Sequence, residues 1–394
     1  MNTKDIVAMG EEFLMQCVGR MPMVPVRGEG VVLWDAEGKE YLDFVSGIAV
    51  NSLGHCHPEI VAAIRQQAQE LIHCSNLYYI EPQVRLAKLL AENTGLTKAF
   101  FGNSGAEANE AAIKLVRKYA KIHHGPDKVE IVTADQSFHG RTLATITATG
   151  QPKYQQGFEP LPAGFKYVPF NDLDAMEKAV GANTCAVMLE PIQGEGGVNV
   201  ASRHYLEGVQ MLCREHGALL IFDEVQCGMG RTGRFLACQH YDLLPDIVTM
   251  AKALGGGFPI GAILATPEAA AAFTPGDHSS TFGGGPLACA TALAAVDLLV
   301  NRGVMENAAA VGAYTFDKLQ NLAAKYDYVK EVRGKGLLLG MELTIPGQEI
   351  ADKCREKGLL INCTNNTVLR FIPPLTVTRE EVDRALAILT ETMP

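Results

Sequence analysis

Three stretches of this 394-residue chain hold side chains whose types and neighbours suit chemistry. Lys252 follows the apolar run Ile247-Val248-Thr249-Met250-Ala251 and precedes Gly255-Gly256-Gly257. A lysine at the carboxyl end of a buried strand stands where open α/β sheets line their ligand crevices. Asp223 ends a second apolar run, 218–222, and is followed at once by Glu224. Gly102-Asn103-Ser104-Gly105-Ala106-Glu107 opens an amphipathic stretch, with Ser104 and Glu107 spaced as a capping box. Free amides at a helix N-terminus bind phosphate, and small residues let an anion approach them. Taken singly, each feature has a plain structural alternative: a solvated lysine, a capped helix, an acidic strand end. Taken together they are the set that a phosphorylated aldehyde cofactor needs. The set supplies an amine to form an imine, a carboxylate to pair with a pyridinium nitrogen, and an anion cradle.

Other patterns fail on their own requirements. The strand ending in Asp223-Glu224 looks like a Walker B strand, but that reading needs G-x-x-x-x-G-K-[ST] elsewhere. The nearest candidate, Gly334-Lys335-Gly336, lacks the first glycine and the Ser/Thr. Gly228, Gly230 and Gly233 match G-x-G-x-x-G in letters only, because they do not follow a strand directly and open no helix. His55-Cys56-His57 offers adjacent ligands that cannot easily share one ion, and no second cluster matches it, so no metal is expected. The ten cysteines form no C-x-x-C pair and sit mostly in apolar company, which favours reduced thiols and a cytoplasmic location.

Elements able to position such a site can be read from the hydrophobic pattern. Val31–Trp34 and Lys39–Phe44 flank the turn cluster 35–38, a hairpin signal. Helical spacing runs from Pro58 to about Leu71 and again over 82–92. Short apolar runs at 130–133, 185–189, 218–222, 247–250 and 260–265 alternate with helical stretches, notably 107–121 and 205–216. That alternation implies an α/β fold with a largely parallel, covered sheet. Beyond about 291 the pattern changes to strands at 332–343 and 359–371, the second broken at Asn365-Asn366. A final helix opens on the capping box Thr378-Arg379-Glu380-Glu381. The expected organisation is a large domain over 51–290 and a smaller α+β domain over 291–394, joined by the N-terminal segment 1–50.

Composition narrows the class further. Lys and Arg total 34 against 44 Asp and Glu, a net charge of −10 that argues against a broad nucleic-acid footprint. The opening residues MNTKDIVAMGEEF hold acids and no long apolar core, so no secretory signal is expected. The most apolar stretch, 286–300, is shorter than a spanning helix requires, so no membrane association is expected.

In wording and order the chain resembles the class III, or ω-amino, pyridoxal-phosphate aminotransferases of fold type I. The motifs are GNSGAEANEAAIKLVRKY, SFHGRT, EPIQGEGG, LLIFDEVQCGMGRTG, Ala251-Lys252 at a strand end, and HSSTFGGGPLACA. They span nearly the whole chain. The resemblance implies pyridoxal 5′-phosphate as cofactor, linked covalently to Lys252, whose freed amine would then move a proton on the substrate. It implies that Asp223 pairs with the pyridinium nitrogen, that Gln226 contacts the phenolic oxygen, and that Val225 and Phe138 face the two sides of the ring. Glu224 is counted with these cofactor residues, and the Gly105 and Ala106 amides are expected to hold the phosphate. Thr281 is expected to reach the phosphate of a partner subunit, making a homodimer with shared active sites, and Ser280 to touch substrate. Arg141 and Arg370 are the implied carboxylate receptors, with Glu195 as partner of Arg370. His139 is read as structural. The implied reaction passes an ω-amino group, from N2-acetylornithine or from ornithine, succinyldiaminopimelate or 4-aminobutyrate, to 2-oxoglutarate. A decarboxylase or aminomutase on the same cofactor, or a non-catalytic scaffold, are the rival readings.

Overall fold

The structure, a computed structural model, describes residues 2–394. At its centre is a seven-stranded sheet in the order Lys98–Gly102, Gly261–Ala265, Ile247–Met250, Leu219–Asp223, Thr184–Leu189, Glu130–Ala134, Phe165–Val168. The neighbours from Ile247–Met250 onward pair in parallel. Gly261–Ala265 runs against both of its neighbours, so the sheet is mixed at that side. Apolar run alone cannot reveal this, because a strand buried on both faces reads the same in either direction.

Continuous burial explains the continuous apolar runs. Leu220 and Phe222 pack into the larger core cluster, while Leu219 and Ile221, pointing the other way, pack into a second cluster. The strand repeat of two therefore feeds both faces at once. The helix Gly105–His124 covers the second face through its small residues Ala108, Ala111 and Ala112. The helix Pro286–Asn301 packs against Pro58–Glu70 and Glu81–Thr94. No single helix among the described residues is long and apolar enough to cross a membrane.

Parallel pairing aligns the strand ends that matter. Asp223 is in register with Thr249, so the last residue of one strand and the approach to Lys252 lie side by side. Gly102, the last residue of its strand, leads directly into the helix that begins at Gly105.

The C-terminal part contains an antiparallel sheet in the order Val329–Lys335, Leu338–Leu343, Val368–Phe371, Asn362–Thr364. The single strand expected over 332–343 is thus a tight hairpin. Gly336 makes the turn with φ 56°, a conformation that L side chains rarely adopt. A Cβ there would also meet the backbone of Thr232 at 2.6 Å. Leu359–Leu360 pairs with Glu40–Asp43, tying the N-terminal hairpin to the far end of the chain. A helix at Thr3–Phe13, absent from the sequence reading, buries none of its residues.

Candidate active site

A cavity of about 440 Å³ opens at the carboxyl ends of the central strands. Asp223 and Lys252 line it from two adjacent strands, and Gly105 and Ala106 from the start of a helix. That helix begins on Ser104, whose hydroxyl accepts from the Glu107 amide. The Gly105 and Ala106 amides, lying before the first helical acceptors, have no intrahelical partner. Glu107 reaches back past Ser104 to accept from the Asn103 amide at 2.6 Å and from Asn103 Nδ2 at 2.8 Å, so the Ser104 cap is one-sided and the expected capping box is not completed.

Asp223 is buried and its carboxylate is fixed from three sides. Oδ2 accepts from Asn109 Nδ2 and from His139 Nδ1, each at 2.8 Å, and Oδ1 accepts from the Val225 amide at 3.0 Å. Lys252 has φ 48°, a strained backbone for a residue with a side chain, and strain of this kind collects at functional sites. Burial lowers its amine below the usual lysine value, Glu195 opposes that shift, and Arg370 adds to it. Phe138 and Val225 also line the cavity. Arg141 sits at the exposed mouth, its guanidinium 4.6 Å from the Phe138 ring centre and 3.8 Å from that of Tyr154. Stacking on two rings holds a charged side chain in one orientation without consuming its donors.

Arg370 is fully buried and lies behind the cavity wall rather than in it. Its Nη1 donates to Glu195 Oε1 at 2.7 Å and to Gln226 Oε1 at 3.0 Å. Burial by itself would raise the Glu195 carboxyl, but the charges of Arg370 and Lys252, with hydrogen bonds from Arg370 and Gln226, bring it down to about 2. Glu195 is therefore a carboxylate standing between a buried cation and the open cavity.

Several expected site residues lie elsewhere. Glu224 does not line the cavity and requires correction. Its carboxylate faces inward, accepting from the amides of Ala237 and Cys238 at 2.8 Å each, and so clamps the loop that follows the strand. Successive residues leaving a strand point to opposite sides, so Asp223 and Glu224 could not both face one ligand. Ser280 lies beside the site, its Oγ accepting from the Gly283 amide and from Asn103 Nδ2. Thr281 is exposed, outside the cavity.

Two residues escaped the sequence reading. Glu190 lines the cavity and accepts from the Phe138 amide at 3.0 Å. Burial and the nearby Asp223 charge push its carboxyl well above the usual range. The motif EPIQGEGG contains it, but nothing in the motif distinguishes its role from that of Glu195. Asn109 sits four residues into a helix and gave no local signal, since its partner Asp223 is 114 residues away.

These residues fit pyridoxal phosphate on their own chemistry. A primary amine, a fixed carboxylate, an aromatic ring and a helix N-terminus with open amides converge on one cavity of suitable size. Among the described residues no group of His, Cys, Asp and Glu could hold a metal ion.

Comparison with known proteins agrees with this donor set. Residues 15–393 match the family model of the class-III aminotransferases. The chain is 52% identical to an acetylornithine aminotransferase of Methanocaldococcus jannaschii, over 99% of this chain and 98% of the relative. The N-acetylornithine aminotransferase of Stenotrophomonas maltophilia superposes with a TM-score of 0.84 at 40% identity, over 98% of each chain. The ornithine aminotransferase of Toxoplasma gondii, with partial occupancy of pyridoxal phosphate at its active site, superposes with a TM-score of 0.95. It is 35% identical, and the match covers 99% of this chain and 94% of that one.

Proposed function

The chain belongs to the class-III aminotransferases, and from that premise we propose that it transfers the ω-amino group of N2-acetylornithine to 2-oxoglutarate. The products are N-acetylglutamate 5-semialdehyde and glutamate, formed in two alternating half-reactions, a step of arginine biosynthesis. The observation that carries this reading is the unequal state of two arginines around one cavity. Arg141 is open at the mouth, whereas Arg370 is buried and covered by Glu195.

The two substrates differ in what surrounds the reacting carbon. The ω-amino donor has no carboxylate there, and glutamate has one. An unpaired buried arginine is costly, by several kcal/mol, so a local carboxylate has to cover Arg370 while the donor is bound. Glu195 supplies that cover and can withdraw for glutamate. Arg141 binds the carboxylate at the far end of either substrate, using the planar fork that suits bidentate recognition.

Pyridoxal phosphate, when bound, supplies the carbonyl that takes the amine and the ring that accepts electrons. The chain's own residues do the rest. Lys252 Nζ would hold the cofactor covalently and, as a free amine, would serve to move a proton at the substrate carbon. Its burial-lowered basicity favours the uncharged amine that this work requires. Asp223 would pair with the protonated ring nitrogen, and His139 and Asn109 fix the orientation of its carboxylate. Gly105 and Ala106 would hold the phosphate through their amides, and Phe138 and Val225, which line the cavity, would hold the ring.

The active form in this reading is a cytoplasmic homodimer. Thr281 lies on the surface beside Phe282, Leu77, Tyr78 and Tyr79, all large, apolar and exposed. Asn76 ties the two segments together by donating to the carbonyls of Ser280 and Gly283. An exposed patch of this kind supports burial against a second copy.

A donor panel tests the substrate. N2-acetylornithine, ornithine, succinyldiaminopimelate and 4-aminobutyrate are each compared by kcat/KM with 2-oxoglutarate as acceptor. N2-acetylornithine is expected to lead. A lead by ornithine or 4-aminobutyrate would overturn the donor assignment, and conversion of any donor without an oxo acid would point to a mutase.

A further inference from the structure

Gln226 has both polar atoms of its side chain engaged at the Glu195–Arg370 pair. Its Nε2 donates to Glu195 Oε1 at 3.1 Å, and its Oε1 accepts from Arg370 Nη1 at 3.0 Å. Arg370 Nη1 donates at 2.7 Å to that same oxygen of Glu195. One carboxylate oxygen thus receives two donors from residues 144 apart in the chain. The bond from Arg370 to Gln226 Oε1 also decides which way the carboxamide points. With its oxygen turned to the guanidinium, its NH₂ must face the Glu195 position.

From this geometry we infer that Gln226 is the second donor of the receptor for the carboxylate at the reacting carbon. Glu195 occupies that receptor as an internal carboxylate and marks where a substrate carboxylate binds once Glu195 withdraws. Gln226 lines the cavity beside Glu195, whereas Arg370 lies behind them, so the carboxamide stands nearer to an incoming ligand. The receptor also has capacity that Glu195 leaves unused. Arg370 Nη2 is buried and has no hydrogen-bond partner, although a bidentate carboxylate would engage it. Arg370 Nε is held by Asn362 Oδ1 at 3.3 Å, which fixes the guanidinium plane while Nη2 alone stays without a partner.

Gly194 belongs to the same arrangement. A Cβ at this position would lie 1.7 Å from Gln226 Oε1 and 2.4 Å from its Cδ. Only a residue without a side chain leaves the carboxamide where it is. Gly194→Ala therefore displaces the Gln226 side chain without altering its chemistry, giving an independent perturbation of the same contact.

The inference rests on 2-oxoglutarate being the acceptor, and it differs from the expectation that Gln226 serves the phenolic oxygen of the cofactor. The test uses the holoenzyme with its cofactor linked to lysine. In that form the enzyme has no amino group to give, so 2-oxoglutarate binds without reacting and calorimetry reads its affinity alone. Loss of a hydrogen bond to a charged group predicts about tenfold weaker binding or more in Gln226→Met. The same direction is expected for Gly194→Ala. Single-turnover reaction with N2-acetylornithine, which has no carboxylate at the reacting carbon, is expected to change by a smaller factor in both variants.

Four outcomes overturn the inference. Unchanged 2-oxoglutarate affinity in both variants removes Gln226 from the receptor. Tighter binding would make Gln226 a latch that holds Glu195 closed. Equal losses for 2-oxoglutarate and N2-acetylornithine would return Gln226 to the cofactor. A wild-type protein that fails to bind 2-oxoglutarate would overturn the acceptor assignment itself, and this inference with it.

Discussion

His139 Nδ1 lies 2.8 Å from Asp223 Oδ2, and Asn109 Nδ2 lies at the same distance from the same oxygen. The proton of that imidazole is therefore on Nδ1, since the carboxylate can only accept. Nε2 is buried and has no partner, so the ring is turned wholly toward Asp223. The Asn109 side chain also donates to the His139 carbonyl at 2.7 Å, and Thr149 Oγ1 accepts from the His139 amide. Three separated segments thus meet at one carboxylate, with Thr149 bracing the His139 backbone behind them.

Asp223→Asn is expected to retain cofactor yet lose several orders of magnitude in turnover, because a neutral amide no longer favours the protonated ring nitrogen. His139→Ala is expected to lose about tenfold, the scale of one hydrogen bond to a charged group. Visible spectra recorded across pH check both variants. If Asp223→Asn only weakened cofactor binding, with turnover intact, the electronic role would be wrong.

Lys252 is expected to form a borohydride-trappable link to the cofactor, and Lys252→Ala to lose both the trapped adduct and nearly all turnover. Mass spectrometry after reduction locates the modified residue. Mixed dimers of Lys252→Ala with Thr281→Phe are expected to recover part of the activity, because each variant damages a different member of a shared site. A fully active monomer would exclude that sharing.

Glu195→Gln is expected to impair the ω-amino half-reaction more than the glutamate half-reaction, measured as single-turnover rates. Equal losses would leave Glu195 as a structural partner of Arg370. Stability gives a second readout. The Glu195 carboxyl lies near 2 in the folded protein against an ordinary 4.5, so its pairing contributes fully above about 4.5. That contribution is lost as pH falls through the window toward 2. Urea titrations should show a wild-type advantage over Glu195→Gln that is flat above pH 5 and shrinks on acidification.

Glu224→Leu is expected to act on stability rather than on chemistry. It strands the amides of Ala237 and Cys238, each of which loses a buried acceptor. Two orphaned donors cost on the order of 3 kcal/mol, which lowers the melting temperature by several degrees. The folded fraction should keep its donor preference. An unchanged melting temperature with collapsed turnover would place Glu224 among the cofactor residues after all.

Much of this protein is determined by local chemistry that a sequence displays. Lys252 and Asp223 each end an apolar run, and buried strands must be continuous in apolar residues whatever surrounds them. The Ser104 cap on the Glu107 amide is likewise local, since a helix start satisfies its own amides within one turn. The hairpin at 336 was hidden for the opposite reason. The run Arg333-Gly334-Lys335-Gly336 does not say which glycine turns the chain, and the positive φ and the close approach of the Thr232 backbone at Gly336 are tertiary facts.

What only the tertiary structure decided is which side of each strand end faces the ligand and which distant groups share a charge. Asp223 and Glu224 are equivalent as letters, yet the alternation of side chains sends one to the cavity and the other into the loop behind it. Glu190 and Glu195 share one motif. One is pushed up by burial and the Asp223 charge, whereas the other, against the same burial, is held down by Arg370. Arg370 meets Glu195 across 175 positions and Gln226 across 144, and Asn109 meets Asp223 across 114. Electrostatic and hydrogen-bond energies depend on separation in space, and spacing along the chain says nothing of that separation until the sheet has closed.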